Sequence, residues 1–120
     1  MDNKTNIHEL KEIVNKFVED RDWGKFHSPK ELSIGIITEA SELLEKFRFK
    51  SDKEIEELLN SPNKKEEISE EIADVLYFLL RFSHLYDIDL STAMKDKIKK
   101  NELRYPIEKS KGSNKKYNEL

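Results

Sequence analysis

Four carboxylates in this chain stand as two acid-x-x-acid pairs, Glu39 with Glu42 and Glu71 with Asp74. At about 100° per residue, Glu71 falls inside the apolar face drawn by Ile68, Ile72, Val75, Leu79 and Phe82, and Asp74 stands at its edge beside Phe78 and Leu85. Glu39 projects between Leu32 and Leu43 on a second apolar face, marked by Leu32, Ile36, Ala40, Leu43 and Phe47, with Glu42 on its flank. With 39% charged residues, either pair alone reads as a solvated helix face. Solvated acids belong opposite the stripe, as Glu66 and Glu70 largely do, whereas Glu39 and Glu71 sit within it. Carboxylates gathered on a packing face repel one another unless cations neutralise them. Oxygen-only ligands select hard ions, Mg²⁺ first and Mn²⁺ next.

A second constellation is cationic. Lys97, Asn101 and Arg104 recur at i, i+4 and i+7, one helix face, with the phenol of Tyr105 beside them. A solvated basic face is an equally ordinary reading. Opposite carboxylate-bound Mg²⁺, the same stripe would clamp a polyphosphate while a metal-oriented water attacks phosphorus, which is pyrophosphohydrolase chemistry. No nucleophile elbow, Walker-type loop or Gly-rich dinucleotide loop competes with this. The residues three before His8, His27 and His84 are Thr5, Gly24 and Arg81, so the Glu-x-x-His spacing of a di-iron bundle is missing. The loop RDWGKFHSP carries Trp23, Phe26 and His27, unusual furniture for a polar turn. Trp23 there is either a ligand wall or a lid on the core, and His27 is a candidate ligand contact.

These side chains must be positioned by helices. Three glycines and three prolines in 120 residues leave little turn chemistry for a sheet, and segments with helical periodicity dominate. The expectation is an all-α, four-helix-bundle-like subunit of about five helices, one of them short. The first runs over about 5–20; the second follows a Ser28 N-cap with Pro29 as its first residue and carries Glu39 and Glu42. Ser51 with Glu54 spells a capping box for the short helix. The helix bearing Glu71 and Asp74 extends to about Leu85, and Asp89 or Ser91 caps the basic one. Residues 1–106 form one domain, and the polar, aperiodic segment 107–120 reads as a flexible tail.

Composition narrows the setting. At 36% hydrophobic residues and a mean hydropathy of -0.82 a private core is thin, so helices are expected to complete it across a subunit boundary. The net charge of -3 argues against whole-surface attraction to nucleic acid or acidic membranes. Absence of cysteine excludes disulfides and thiolate metal sites. With no membrane-length apolar run and no signal-type h-region, the expected location is cytoplasmic. The competing class is a non-catalytic helical interaction module whose charges are only solvated.

Taken together, these motifs place the chain beside a family. Glu39-Ala-Ser-Glu42, the spacer 43–70 and Glu71-Ile-Ala-Asp74, with EDRDWGKFHSP before them and NELRYP after them, resemble the all-α nucleoside triphosphate pyrophosphohydrolases of the MazG-like group, most closely the small dCTP pyrophosphatase type. The resemblance implies that Glu39, Glu42, Glu71 and Asp74 hold Mg²⁺. It implies that Lys97, Asn101, Arg104 and Tyr105 contact phosphates and sugar, that Trp23, His27 and Phe49 line the base pocket, and that Phe78 stands where that type often shows a Tyr. Thr38 and Phe49 depart from it, where many members carry Glu and Trp respectively. It also implies a homodimer or dimer of dimers acting on a nucleoside triphosphate, dCTP or a modified pyrimidine nucleotide, to give the monophosphate and pyrophosphate.

Overall fold

Four of the helices begin where a side chain accepts from the unpaired amides of the first turn. In the computed structural model, which describes residues 1–120, Asn6 caps α1 (Ile7–Asp20) by accepting from the Glu9 amide. Ser28 caps α2 (Pro29–Glu45) through the Glu31 amide, with Pro29 in the first turn where its missing N–H costs nothing. Ser51 and Glu54 form the full reciprocal capping box of α3 (Asp52–Asn60). Pro62 opens α4 (Pro62–Leu85). Asp89 caps α5 (Leu90–Arg104) through Thr92, and a single turn, α6 (Ile107–Ser110), follows Pro106. The architecture is all-α, and no helix is long and apolar enough to cross a membrane.

The chain divides into two compact units, Met1–Asp87 and Ile88–Leu120. In the first, α1, α2 and α3 all pack on α4. The run of α2 against α4 is antiparallel: Gly35 meets Phe78, Glu39 shares a cluster with Asp74, and Lys46 pairs with Glu67 at 3.7 Å. Gly35 makes this approach feasible, because a Cβ there would lie 2.6 Å from the Phe78 ring.

The core is as thin as the composition implied. Val18, Leu32, Ile68 and Leu80 are its buried apolar residues. The single stripe expected for α4 is only partly realised, since Ile72 is 53% and Leu79 41% exposed whereas Leu80 and Arg81 are buried. The reason is that α4 is apolar around much of its circumference and its neighbours cover only part of it. What remains, Ile72, Leu76 and Leu79, is matched on α2 by exposed Ile34, Ile37 and Leu44.

In the second unit the segment after Pro106 is not featureless. Beyond α6, a 3₁₀ turn at Tyr117–Glu119 brings Tyr117 edge-on to Tyr105, ring centroids 6.2 Å apart, and under the Arg104 guanidinium at 4.8 Å.

Candidate active site

The antiparallel run of α2 along α4 turns two local spacings into one cluster. Glu39, Glu42, Glu71 and Asp74 each bring a carboxylate oxygen to within 4.8 Å of the others. Glu42 and Asp74 are exposed, while Glu39 and Glu71 are partly covered and each holds a buried Oε2 atom with no hydrogen-bond partner. The Glu39 carboxyl is pushed up to about 7, first by the hydrogen bond it shares with Glu42, then by burial and by the charges of Glu42, Asp74 and Glu71. Burial likewise raises Glu71, with Glu42 adding to the effect and Lys46 opposing it.

Such a cluster fits a hard divalent cation. All donors are carboxylate oxygens, and two of them are buried atoms lacking any partner. An octahedral ion with bonds of about 2.1 Å spans about 4.2 Å between opposite ligands. The 4.8 Å envelope therefore needs to contract by only a few tenths of an ångström.

Beside the acids lies a cavity of about 330 Å³ lined by Phe17, Trp23, His27, Glu39, Asp74, Tyr77 and Phe78. Its aromatic wall is continuous: Phe17 meets Trp23 edge-on at 5.6 Å and Tyr77 at 6.1 Å, and Tyr77 meets Phe78 at 5.0 Å. Trp23 is 43% exposed, so it is a wall of this opening rather than a core lid. Behind His27 sits Arg81, whose Nε donates to His27 Nδ1 at 3.0 Å and whose Nη1 donates to Asn15 Oδ1 at 2.6 Å.

Of the residues singled out from sequence, the structure gathers Glu39, Glu42, Glu71, Asp74, Trp23, His27 and Phe78. Phe49 is not among them. It is 91% exposed at a left-handed φ of 64°, with the Arg48 guanidinium 4.5 Å from its ring. Lys97, Asn101, Arg104 and Tyr105 belong to α5 and its C-terminal end in the second unit. Phe17, Tyr77, Asn15 and Arg81 were not singled out. A signal for Arg81 and Tyr77 existed, because Asp74, Tyr77, Phe78 and Arg81 follow i, i+3, i+4, i+7 and so share one face of α4.

A model of the MazG-like family matches residues 34–120. The chain belongs to the MazG-like family. MazG-like relatives with assigned names include dCTP pyrophosphatase 1 of Rattus norvegicus, 33% identical over 114 residues that cover 95% of this chain and 67% of that protein. The Homo sapiens protein of the same name is 32% identical over the same shares. Among solved structures, a pyrophosphatase from Archaeoglobus fulgidus matches with a TM-score of 0.76 at 42% identity, covering 82% of this chain and 91% of that one.

Proposed function

We propose that this MazG-like protein is a Mg²⁺-dependent nucleoside triphosphate pyrophosphohydrolase that takes dCTP, or a modified pyrimidine deoxynucleotide, to the monophosphate and pyrophosphate. The observation that carries the reading is the convergence of Glu39, Glu42, Glu71 and Asp74 beside an aromatic cavity, with buried carboxylate oxygens left unpartnered on both helices. The enzyme class is that of the named relatives and of the archaeal pyrophosphatase. Bound Mg²⁺ would neutralise the four acids and stabilise charge developing on the phosphoryl oxygens.

The chain's own residues supply the rest. Trp23, Phe17, Tyr77 and Phe78 offer ring faces on which a base stacks, so the cavity holds the base next to the acids. By resemblance, Lys97, Asn101, Arg104 and Tyr105 take the phosphates and sugar. Water then adds to the α-phosphorus, the bond from that phosphorus to the bridging oxygen breaks, and pyrophosphate leaves. Phe49, a bulky residue in a strained backbone region and almost wholly exposed, is the residue that the resemblance assigns to the base pocket together with Trp23 and His27.

Assembly fits the same reading. Ile34, Ile37, Leu44, Ile72, Leu76 and Leu79 expose apolar side chains on α2 and α4, a surface that a second copy of the chain would cover. We take the working unit to be a homodimer or a dimer of dimers. The catalytic domain is taken as residues 1–106, with 107–120 appended to it.

The deciding experiment incubates the protein with Mg²⁺ and each of a panel of NTPs and dNTPs, and resolves the products by ion-exchange chromatography. dCMP with pyrophosphate from dCTP is expected. Orthophosphate with dCDP would overturn the mechanism, and a purine preference would overturn only the base assignment.

A further inference from the structure

Arg81 is a cation only 4% exposed, and no carboxylate pairs with it. Its Nε and Nη1 are spent on two neutral acceptors, His27 Nδ1 from the loop and Asn15 Oδ1 from α1. A buried charge satisfied this way is a poor stability device, since the desolvation of the guanidinium is offset by no opposite charge. What the arrangement does achieve is control of a ring. A guanidinium has donors and no acceptor, so the nitrogen facing it must offer a lone pair. His27 therefore carries no proton on Nδ1, and as a neutral imidazole it carries one on Nε2.

The backbone leading to His27 is pressed on the same group. A Cβ at Gly24 would lie 3.2 Å from Arg81 Nη2, so loop and guanidinium are fitted closely. The Nε2 side of the ring has no hydrogen-bond partner and is not among the buried orphaned atoms, and His27 forms part of the cavity wall with Trp23 and Phe17. Burial, then the charge of Arg81, lowers the pKa of His27, which keeps the ring neutral. The other titratable groups of that cavity are Glu39 of α2 and Asp74 and Tyr77 of α4.

We infer that Arg81 is a positioning residue that locks His27 as the Nε2–H tautomer, so that His27 donates into the cavity and recognises a hydrogen-bond acceptor on the edge of the bound base. The inference rests on the nucleotide reading above for its ligand. The aromatic walls accept any base, because every base has a π face. A ring that can only donate adds a directional contact of the kind the 2-oxo group of a pyrimidine would fill.

Two measurements on the full chain test it. Long-range ¹H–¹⁵N spectra of the histidine rings should show an unprotonated Nδ1 and a protonated Nε2 for His27, and Arg81→Met should release a mixture of tautomers. A wild-type His27 with its proton on Nδ1, or doubly protonated at neutral pH, overturns the inference without need of any variant. In kinetics, His27→Phe should raise KM for dCTP about 3- to 10-fold, the loss of one neutral hydrogen bond, with kcat nearly unchanged. His27→Gln, whose amide nitrogen can stand in for Nε2–H, should recover most of that loss. Inhibition by inorganic tripolyphosphate, which has no base, should be the same in wild type and His27→Phe. An equal weakening of tripolyphosphate would make His27 a phosphate contact and sink the inference. Failure to hydrolyse any dNTP sinks the parent reading, whereas a wrong tautomer sinks this one while turnover stands.

Discussion

Glu39→Gln is the perturbation that separates a charge-frustrated site from a merely acidic surface. Glu39 titrates at about 7 against an ordinary 4.5, so the folded metal-free protein binds a proton that the unfolded chain has released between those two pH values. Stability linked to this group is therefore fully present below about 4.5 and lost as pH rises through about 7. Glutamine mimics the protonated state at every pH. At about 1.4 kcal/mol for each tenfold, the whole difference has a ceiling of about 3 kcal/mol above pH 7. Two of the four acids are exposed and water screens the cluster, which brings the expected gain to about 1 kcal/mol. For a chain of this length that corresponds to a rise in Tm of roughly 4 °C. The assay is thermal melting in chelator at pH 4.5 and at pH 8, repeated with millimolar Mg²⁺. The variant should match wild type at pH 4.5 and exceed it at pH 8 without metal, and Mg²⁺ should raise the wild-type Tm while moving the variant less. A variant less stable than wild type at pH 8, or a difference independent of pH, would refute the electrostatic account of the site.

Other expectations follow from the same structure. Glu71→Gln and Asp74→Asn should each abolish Mg²⁺-dependent hydrolysis with folding retained, and activity within a few-fold of wild type in either would contradict the metal assignment. Gly35→Ala forces a methyl to within 2.6 Å of the Phe78 ring and should cost about 1–3 kcal/mol of stability and raise KM for the nucleotide; an unchanged melting curve would show that the helices part without penalty. Phe49→Ala should raise KM more than it lowers kcat, and an equal fall in kcat and kcat/KM with KM unchanged would place the ring in the transition state rather than in ground-state binding. Static light scattering at micromolar protein should give at least twice the 14.2 kDa chain mass. A clean monomer would leave the exposed isoleucines and leucines of α2 and α4 unexplained.

Local chemistry was legible from residue order. The caps at Ser28, Ser51 and Asp89 are read within four positions of the helix they start, and the structure realises all three. The phase of Glu39 and Glu71 was legible for the same reason, since helical period alone puts an acid in or out of an apolar stripe. The antiparallel match of α2 to α4 is what joins the two pairs, and the family that the motifs resembled is the MazG-like family whose model matches residues 34–120.

Periodicity says which side of a helix is apolar but not what covers it, and here tertiary structure decided. On α4 apolar residues run nearly all round, so only the positions of α1, α2 and α3 determine that Leu80 is buried while Ile72 and Leu79 face out. Tyr77 and Phe17 become cavity walls because α1 lies against α4, a contact no local pattern encodes. Arg81 is the sharpest case. In sequence it is one more cation near the end of a helix; in the fold it is a buried donor tied to residues 54 and 66 positions away. A guanidinium can satisfy its hydrogen bonds only with whatever acceptors the packing brings to it, so its partners, and through them the proton on His27, exist as a property of the folded chain alone.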